Sequence, residues 1–202
     1  MKFVSEPDLC SKRSARFPGP VFALWVLWLC TAWPTGLEAG VFHSRDEALS
    51  IAFPGAEEVR PLDFYLTPEQ RSEIEQMARA KVDSNLVTVY TGSSHGRCLG
   101  YALFDTHVVR TLPETLLIVL SPQGEVRGVH LLAFYEPPEY APPASWFDHF
   151  RGWKPESESR ERNEVAAITG STLTSRAVNA AVRRALATYH VLLRPMQSSQ
   201  QK

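Results

Sequence analysis

The stretch "ITGSTLTSRAVNAAVRRALATY", Ile168 to Tyr189, decides what the rest of the chain must pack against. Val178, Ala181, Val182, Ala185, Leu186 and Tyr189 recur at three- and four-residue steps, which predicts an amphipathic helix with one apolar face. Arg176, Asn179, Arg183, Arg184 and Thr188 fill the other face. The start of this helix is unusual. Thr169, Ser171, Thr172, Thr174 and Ser175 crowd around a single Gly170, and no acid occurs from Ala166 to Leu186. The first N–H groups of a helix lack intrahelical partners and carry partial positive charge. One capping hydroxyl and an Asp or Glu in the first turn usually answer them. Here Arg176 adds positive charge instead, and Gly170 permits a tight turn and close approach to the backbone. Two readings stand: a hydroxyl-rich cap with nothing bound, or an anion site in which N–H groups, hydroxyls and Arg176 hold a phosphate.

Strand signals lie upstream. "NLVTVYTG" and "RCLGYALFDT" flank "SSHG", and "TLLIVLS" and "EVRGVHLLAFYE" flank "PQG", so two hairpins are expected, with "HVVRT" extending the second strand or starting another. Before them, "SRDE" from Ser44 and "TPEQ" from Thr67 are capping boxes that open two helices. Pro68 stands at the first position of the second helix. Its buried stripe is read as Ile74, Met77, Ala78 and the stem of Lys81. The four prolines of "EPPEYAPPASWFDHF", Glu136 to Phe150, exclude a central strand and predict a rigid loop leading to a short aromatic helix. The expected fold is therefore α+β: an antiparallel sheet of hairpins packed with N-terminal helices and a C-terminal amphipathic helix.

The ends and the composition narrow the class. Lys12, Arg13 and Arg16 precede the apolar run "VFALWVLWLCTAW", Val21 to Trp33, which has the length of a secretory h-region and is short for a membrane span. Residues 1–39 are read as a signal peptide or an uncleaved N-terminal anchor, 40–195 as one domain, and 196–202 as a disordered tail. Either reading of the first segment puts the domain outside the cytoplasm, in the periplasm or anchored facing it. Of three cysteines, only Cys98 lies in the domain, so no disulfide framework is available, and Cys98 is expected as a small buried residue. A formal net charge of -1 argues against nucleic acid as a partner. The six histidines show no metal spacing.

The segment "ITGSTLTSRAV" resembles the "SGATxTS-x-AV" signature of the FMN-binding domain family, found in the RnfG-type and NqrC-type components of Rnf and Nqr complexes and in stand-alone exported flavoproteins. The segments "SPQGEVRGVHLLAFYEPPEY" and "VRRALATY" extend the likeness, which spans Gly100 to about Leu192. The resemblance implies an FMN joined by its phosphate to the threonine at Thr172, placed there by a flavin transferase. It aligns Thr169, Gly170, Thr174 and Ser175 with the motif's first hydroxyl, its glycine and the hydroxyls that follow, and on the helix-start reading Ser171 and Arg176 join them around the phosphate. Two positions depart from the pattern: Ser171 replaces an alanine, and Ala166 stands where the transferase target has an aspartate.

Glu136 opens "EPPEY", where related domains carry a Glu-containing stretch near the flavin; it is a ring-pocket candidate or a solvated acid. "TLPET", with Thr115, is a second flavin-side loop or a plain strand connector. Tyr135, Tyr140, Trp146 and Phe147 are candidates to stack on the ring or ordinary core. The function implied is an electron carrier outside the cytoplasm, working with a membrane or periplasmic redox partner. Two alternatives remain: a flavin-dependent reductase of a small exported substrate, and a sensory or binding module that has lost its flavin.

Overall fold

The structure is a computed structural model that describes residues 40–41, 43–155 and 171–200. The N-terminal apolar run, Ala166, Thr169 and Gly170 lie outside the described residues. The chain divides into two units, Met1–Glu38 and Ala39–Lys202, and the second holds every described strand and helix.

Six antiparallel strands form one sheet in the order β1-β6-β5-β4-β3-β2. They are β1 (Gly40–Val41), β2 (Glu58–Tyr65), β3 (Leu86–Ser94), β4 (Arg97–Val108), β5 (Pro113–Leu120) and β6 (Val126–Phe134). Both expected hairpins are present, β3–β4 turning at His95-Gly96 and β5–β6 turning through Ser121–Glu125. The expected capping boxes start α1 (Arg45–Ala52) and α2 (Pro68–Ala78), and in each the cap side chain and the third helical residue exchange bonds. Arg79 closes α2 with a left-handed φ of 50°. Strands β1 and β2 were not read from the sequence. In β2 the pattern "EVRPLDFY" is interrupted by Pro61 and mostly exposed, which a strand on the sheet edge tolerates.

The alternation of side chains divides the core. Tyr101, Leu103, Leu116, Ile118 and Leu120 face α3 (Thr172–Thr188), meeting Val178, Ala181, Val182, Ala185 and Leu186. Trp146, Phe147 and Phe150, from the 3-10 turn Ala144–Phe150, complete this layer. Ala102, Leu117 and Val119 point the opposite way, onto Ala48, Ala52 and Phe53 of the α1 region. Each fully buried Leu, Ile or Val in these layers contributes about 1.5–3 kcal/mol.

The second face of α3 is less polar in its surroundings than its sequence suggests. Asn179 and Thr188 are buried, the Arg183 Nε donates to the Ala78 carbonyl at 2.9 Å, and α2 packs alongside. The stripe of α2 is Ile74 and Ala78, while Met77 is 37% exposed and Lys81 is exposed as well. Residues 189–193 widen into a π-turn and α4 (Arg194–Gln200) follows. The expected disordered tail is thus helical through Gln200. It is tied down because Gln197 Nε2 donates to the Tyr101 hydroxyl at 2.7 Å and to the Pro122 carbonyl at 2.8 Å. Cys98 is exposed, not buried, because it sits beside the open β3–β4 turn. Among the described residues no helix is long and apolar enough to cross a membrane.

Candidate functional site

The start of α3 is held against the proline-rich segment. Ser171 is the N-cap residue, 4% exposed, and its side chain makes no capping bond. No acid follows in the first turn. Thr172 is the first helical residue and is half-buried. Thr174 and Ser175 are buried and their hydroxyls are committed: Thr174 Oγ1 donates to the Tyr140 carbonyl at 3.0 Å, and Ser175 Oγ donates to the Ser171 carbonyl at 2.9 Å. Those two bonds fix the turn rather than the ligand. Arg176 is exposed.

Tyr140 links this turn to the β4–β5 loop. The Arg110 guanidinium lies 4.4 Å from the Tyr140 ring centre, a cation–π contact. Glu136, itself buried, clasps the same loop. Its Oε1 accepts from the backbone N–H of Thr111 and of Leu112, both at 2.9 Å, and of Arg110 at 3.3 Å. The Thr111 and Leu112 amides, with burial opposing them and the Arg110 amide and charge assisting, hold its carboxyl below the usual glutamate range. Glu136 is therefore a loop organiser at the edge of the site, and the solvated-acid reading is not what is found.

Thr115 is not brought to the α3 turn. It alternates with Glu114 and Leu116 on β5, so it faces away from α3, where its hydroxyl meets Thr106 Oγ1 at 3.0 Å. Trp146 and Phe147 are core residues, stacked edge-on at 5.4 Å. A cavity of about 600 Å³ runs along β6 and is lined by His43, His130, Pro142, Phe147, Asp148 and Arg151. That volume is in the range of small-molecule sites. Among the described residues no group of His, Cys, Asp and Glu could hold a metal ion.

Sequence reasoning missed a buried charge cluster beside this edge. His107 Nδ1 lies 2.7 Å from Asp105 Oδ1 and its Nε2 2.6 Å from Glu114 Oε1. Arg184 of α3 completes it through Asp105. The signal was present: Asp105 and His107 share one face of β4, and a short hairpin loop sets Glu114 opposite His107. Burial lowers the His107 affinity for its proton, but hydrogen bonds and charge from Asp105 and Glu114 outweigh it, raising the pKa from 6.5 to about 9. Burial pushes the Asp105 carboxyl up, and His107 and Arg184 more than reverse this, leaving it below 3.8.

The FMN-binding domain family matches residues 113–187, from the first residue of β5 to the penultimate residue of α3. The G component of the Na(+)-translocating ferredoxin:NAD(+) oxidoreductase complex of Acetobacterium woodii is 30% identical over 150 residues, covering 64% of this chain and 69% of that protein. The chain belongs to the FMN-binding domain family. This FMN-binding domain also overlays on the crystal structure of Shewanella oneidensis NqrC, with a TM-score of 0.49 and 13% identity, over 87% of this chain and 99% of that one. Within the FMN-binding domain the matched span holds Glu114, Glu136, the proline-rich segment and the whole first turn of α3. The donor set of that turn fits the phosphate of the cofactor. It offers a helix N-terminus with no competing acid, an N-cap hydroxyl making no capping bond, and a half-buried hydroxyl at the first helical position.

Proposed function

We propose that this FMN-binding domain is an exported flavoprotein that passes electrons between a membrane or periplasmic redox partner and an acceptor outside the cytoplasm, with its FMN esterified to Thr172. The observation that carries the reading is the first turn of α3, where a buried N-cap Ser171 is followed by Thr172 and by no acid. A phosphodiester at Thr172 keeps one negative charge, and the N–H groups of the first turn and Arg176 stabilise it. Ser171 stands at the N-cap, and the bonds of Thr174 and Ser175 hold the turn. Glu136 and Arg110 position the neighbouring loop and Tyr140. The cavity along β6, with Pro142 of the proline-rich segment in its lining, is of a size to take the ring. When bound, FMN supplies one- and two-electron redox chemistry, so the protein needs to orient it and exclude water, without a nucleophile of its own.

Export is supported by the basic residues and apolar run before residue 40. The redox partner is suggested by the relative, which is a component of an oxidoreductase complex. A flavin transferase would install the ester. A second reading rests on Ala166, the departure from the transferase target: FMN held without a covalent bond, or no flavin at all.

The test is co-expression with a flavin transferase followed by a denaturing gel viewed for flavin fluorescence. A fluorescent band that disappears in Thr172→Ala supports the ester. A dark wild-type band overturns it and favours the second reading.

A further inference from the structure

Glu114 has no exposed surface, and among the described residues its Oε2 has no hydrogen-bond partner. Leaving a buried carboxylate oxygen bare is costly, and a purely structural ion pair does not need it. Asp105 already has Arg184; Glu114 adds a second carboxylate to the same imidazole, with one oxygen unsatisfied. Around Glu114 the strand β4 presents His107 and Asp105, β6 presents the apolar Phe134 at the paired position, and α3 presents Arg184 through Asp105. The adjoining β4–β5 loop carries Arg110, with Glu136 clasped onto it. If all four members of the cluster are ionised, their charges cancel. One more negative charge nearby leaves the interior a proton short.

The outer end of this cluster meets solvent. Pairing between β3 and β4 runs from Val89↔Leu103 toward their turn, while Leu86–Thr88 pair with β2 and Phe104–Val108 pair with β5. The sheet forks there. A cavity of about 190 Å³ fills the fork, with Asp105 and Arg184 in its lining, Thr88, Thr106 and Thr188 nearby, and Asp83 as a further acid. That volume is large enough for several waters. The inner end lies toward the cofactor edge: Pro113, next to Glu114, accepts from Tyr135 N–H, and Leu112 is in the Glu136 clasp beside Tyr140 and the α3 turn.

We propose that Glu114 is a proton-accepting site, loaded from the β3–β4 fork through Asp105 and His107, that takes up a proton when electrons are added to the bound FMN. The proposal rests on the FMN reading above. The imidazolium gives its Nε2 proton to Glu114, and the neutral imidazole left behind is reprotonated from water in the fork. The net change is one solvent proton onto the Glu114 carboxylate and none on Asp105, His107 or Arg184. The electrons come from an external reductant and stay on the cofactor.

The test reduces the FMN-loaded protein with dithionite and records proton uptake together with the reduced-minus-oxidised infrared spectrum, using ¹³C-glutamate-labelled protein. Wild type is expected to show a protonated glutamate carboxyl band that appears on reduction, and Glu114→Gln to lose that band and take up one proton fewer per flavin. Asp105→Asn is expected to keep the band but slow its appearance at least tenfold. Should Glu114→Gln fail to fold, the labelled band in wild type still decides. Flavin bound with no glutamate band, or with proton uptake unchanged in Glu114→Gln, overturns the proposal and leaves the FMN reading standing. A protein that retains no flavin overturns the FMN reading itself, and the proposal with it.

Discussion

Arg184 on α3 grips Asp105 on β4 through two bonds, Nε to Oδ2 at 2.9 Å and Nη2 to Oδ1 at 2.7 Å. Both side chains are less than a fifth exposed, so this fork joins helix to sheet out of bulk water. Removing one partner strands a buried charge. Arg184→Leu is expected to lower stability by about 3–5 kcal/mol. The double replacement Asp105→Leu with Arg184→Leu is expected to recover part of that loss. Urea midpoints of the three proteins check this; equal losses in single and double variants would contradict it.

The same cluster sets a pH dependence. His107 is raised from 6.5 to about 9, so the folded state binds its proton more tightly than the unfolded chain. Its contribution is full below about pH 6.5 and fades as pH rises toward about 9, a loss on the order of 3 kcal/mol. Asp105 is shifted the other way, below 3.8, so its contribution is full above that value and disappears on acidification. Urea unfolding from pH 4 to 10 is expected to give greatest stability between these limits. A flat profile from pH 6.5 to 9 would count against the His107 assignment.

Glu136 organises backbone rather than neutralising a distant charge. Glu136→Ala removes the acceptor for the Arg110, Thr111 and Leu112 amides. Hydrogen exchange of Thr111 and Leu112 is expected to accelerate at least tenfold, with the amides of β5 beyond Leu116 unaffected. Since the carboxyl is held below the usual range, the clasp should persist in wild type at mildly acidic pH. Unchanged exchange at Thr111 would show that the loop stands without it.

Gly124 lies at φ 81° in the β5–β6 turn, and a Cβ there would overlap the Tyr189 ring. Tyr189 is itself anchored by its hydroxyl donating to the Pro122 carbonyl at 3.0 Å. Both the backbone and the ring oppose a side chain, so Gly124→Ala is expected to cost about 1–3 kcal/mol, read as a lowered thermal midpoint. A neutral substitution would mean that the ring moves freely.

How much of this was legible depends on range. The capping boxes at Ser44 and Thr67, the Pro122–Gly124 turn and the apolar face of α3 are local signals, and each stands where the sequence puts it. Strand β2 was missed because an exposed edge strand containing Pro61 has no alternation to read. The face of Thr115 followed from the two-residue period of β5 once its register was known. Glu136 was singled out by position, but its partners come from a loop more than twenty residues away. The strand period puts Asp105 and His107 on one face and the short loop sets Glu114 opposite His107, but the arrival of Arg184 from a helix, 79 residues on from Asp105, is a meeting that local periodicity does not contain.

The most direct measurement of the central claim is peptide mass analysis of the protein co-expressed with a flavin transferase. Trypsin cuts after Arg162 and Arg176, so one peptide, 163–176, carries the whole hydroxyl cluster. The expected result is that peptide heavier by one FMN less one water, with fragmentation placing the addition on Thr172. An unmodified peptide, or the addition on another hydroxyl, would contradict attachment at the first residue of α3.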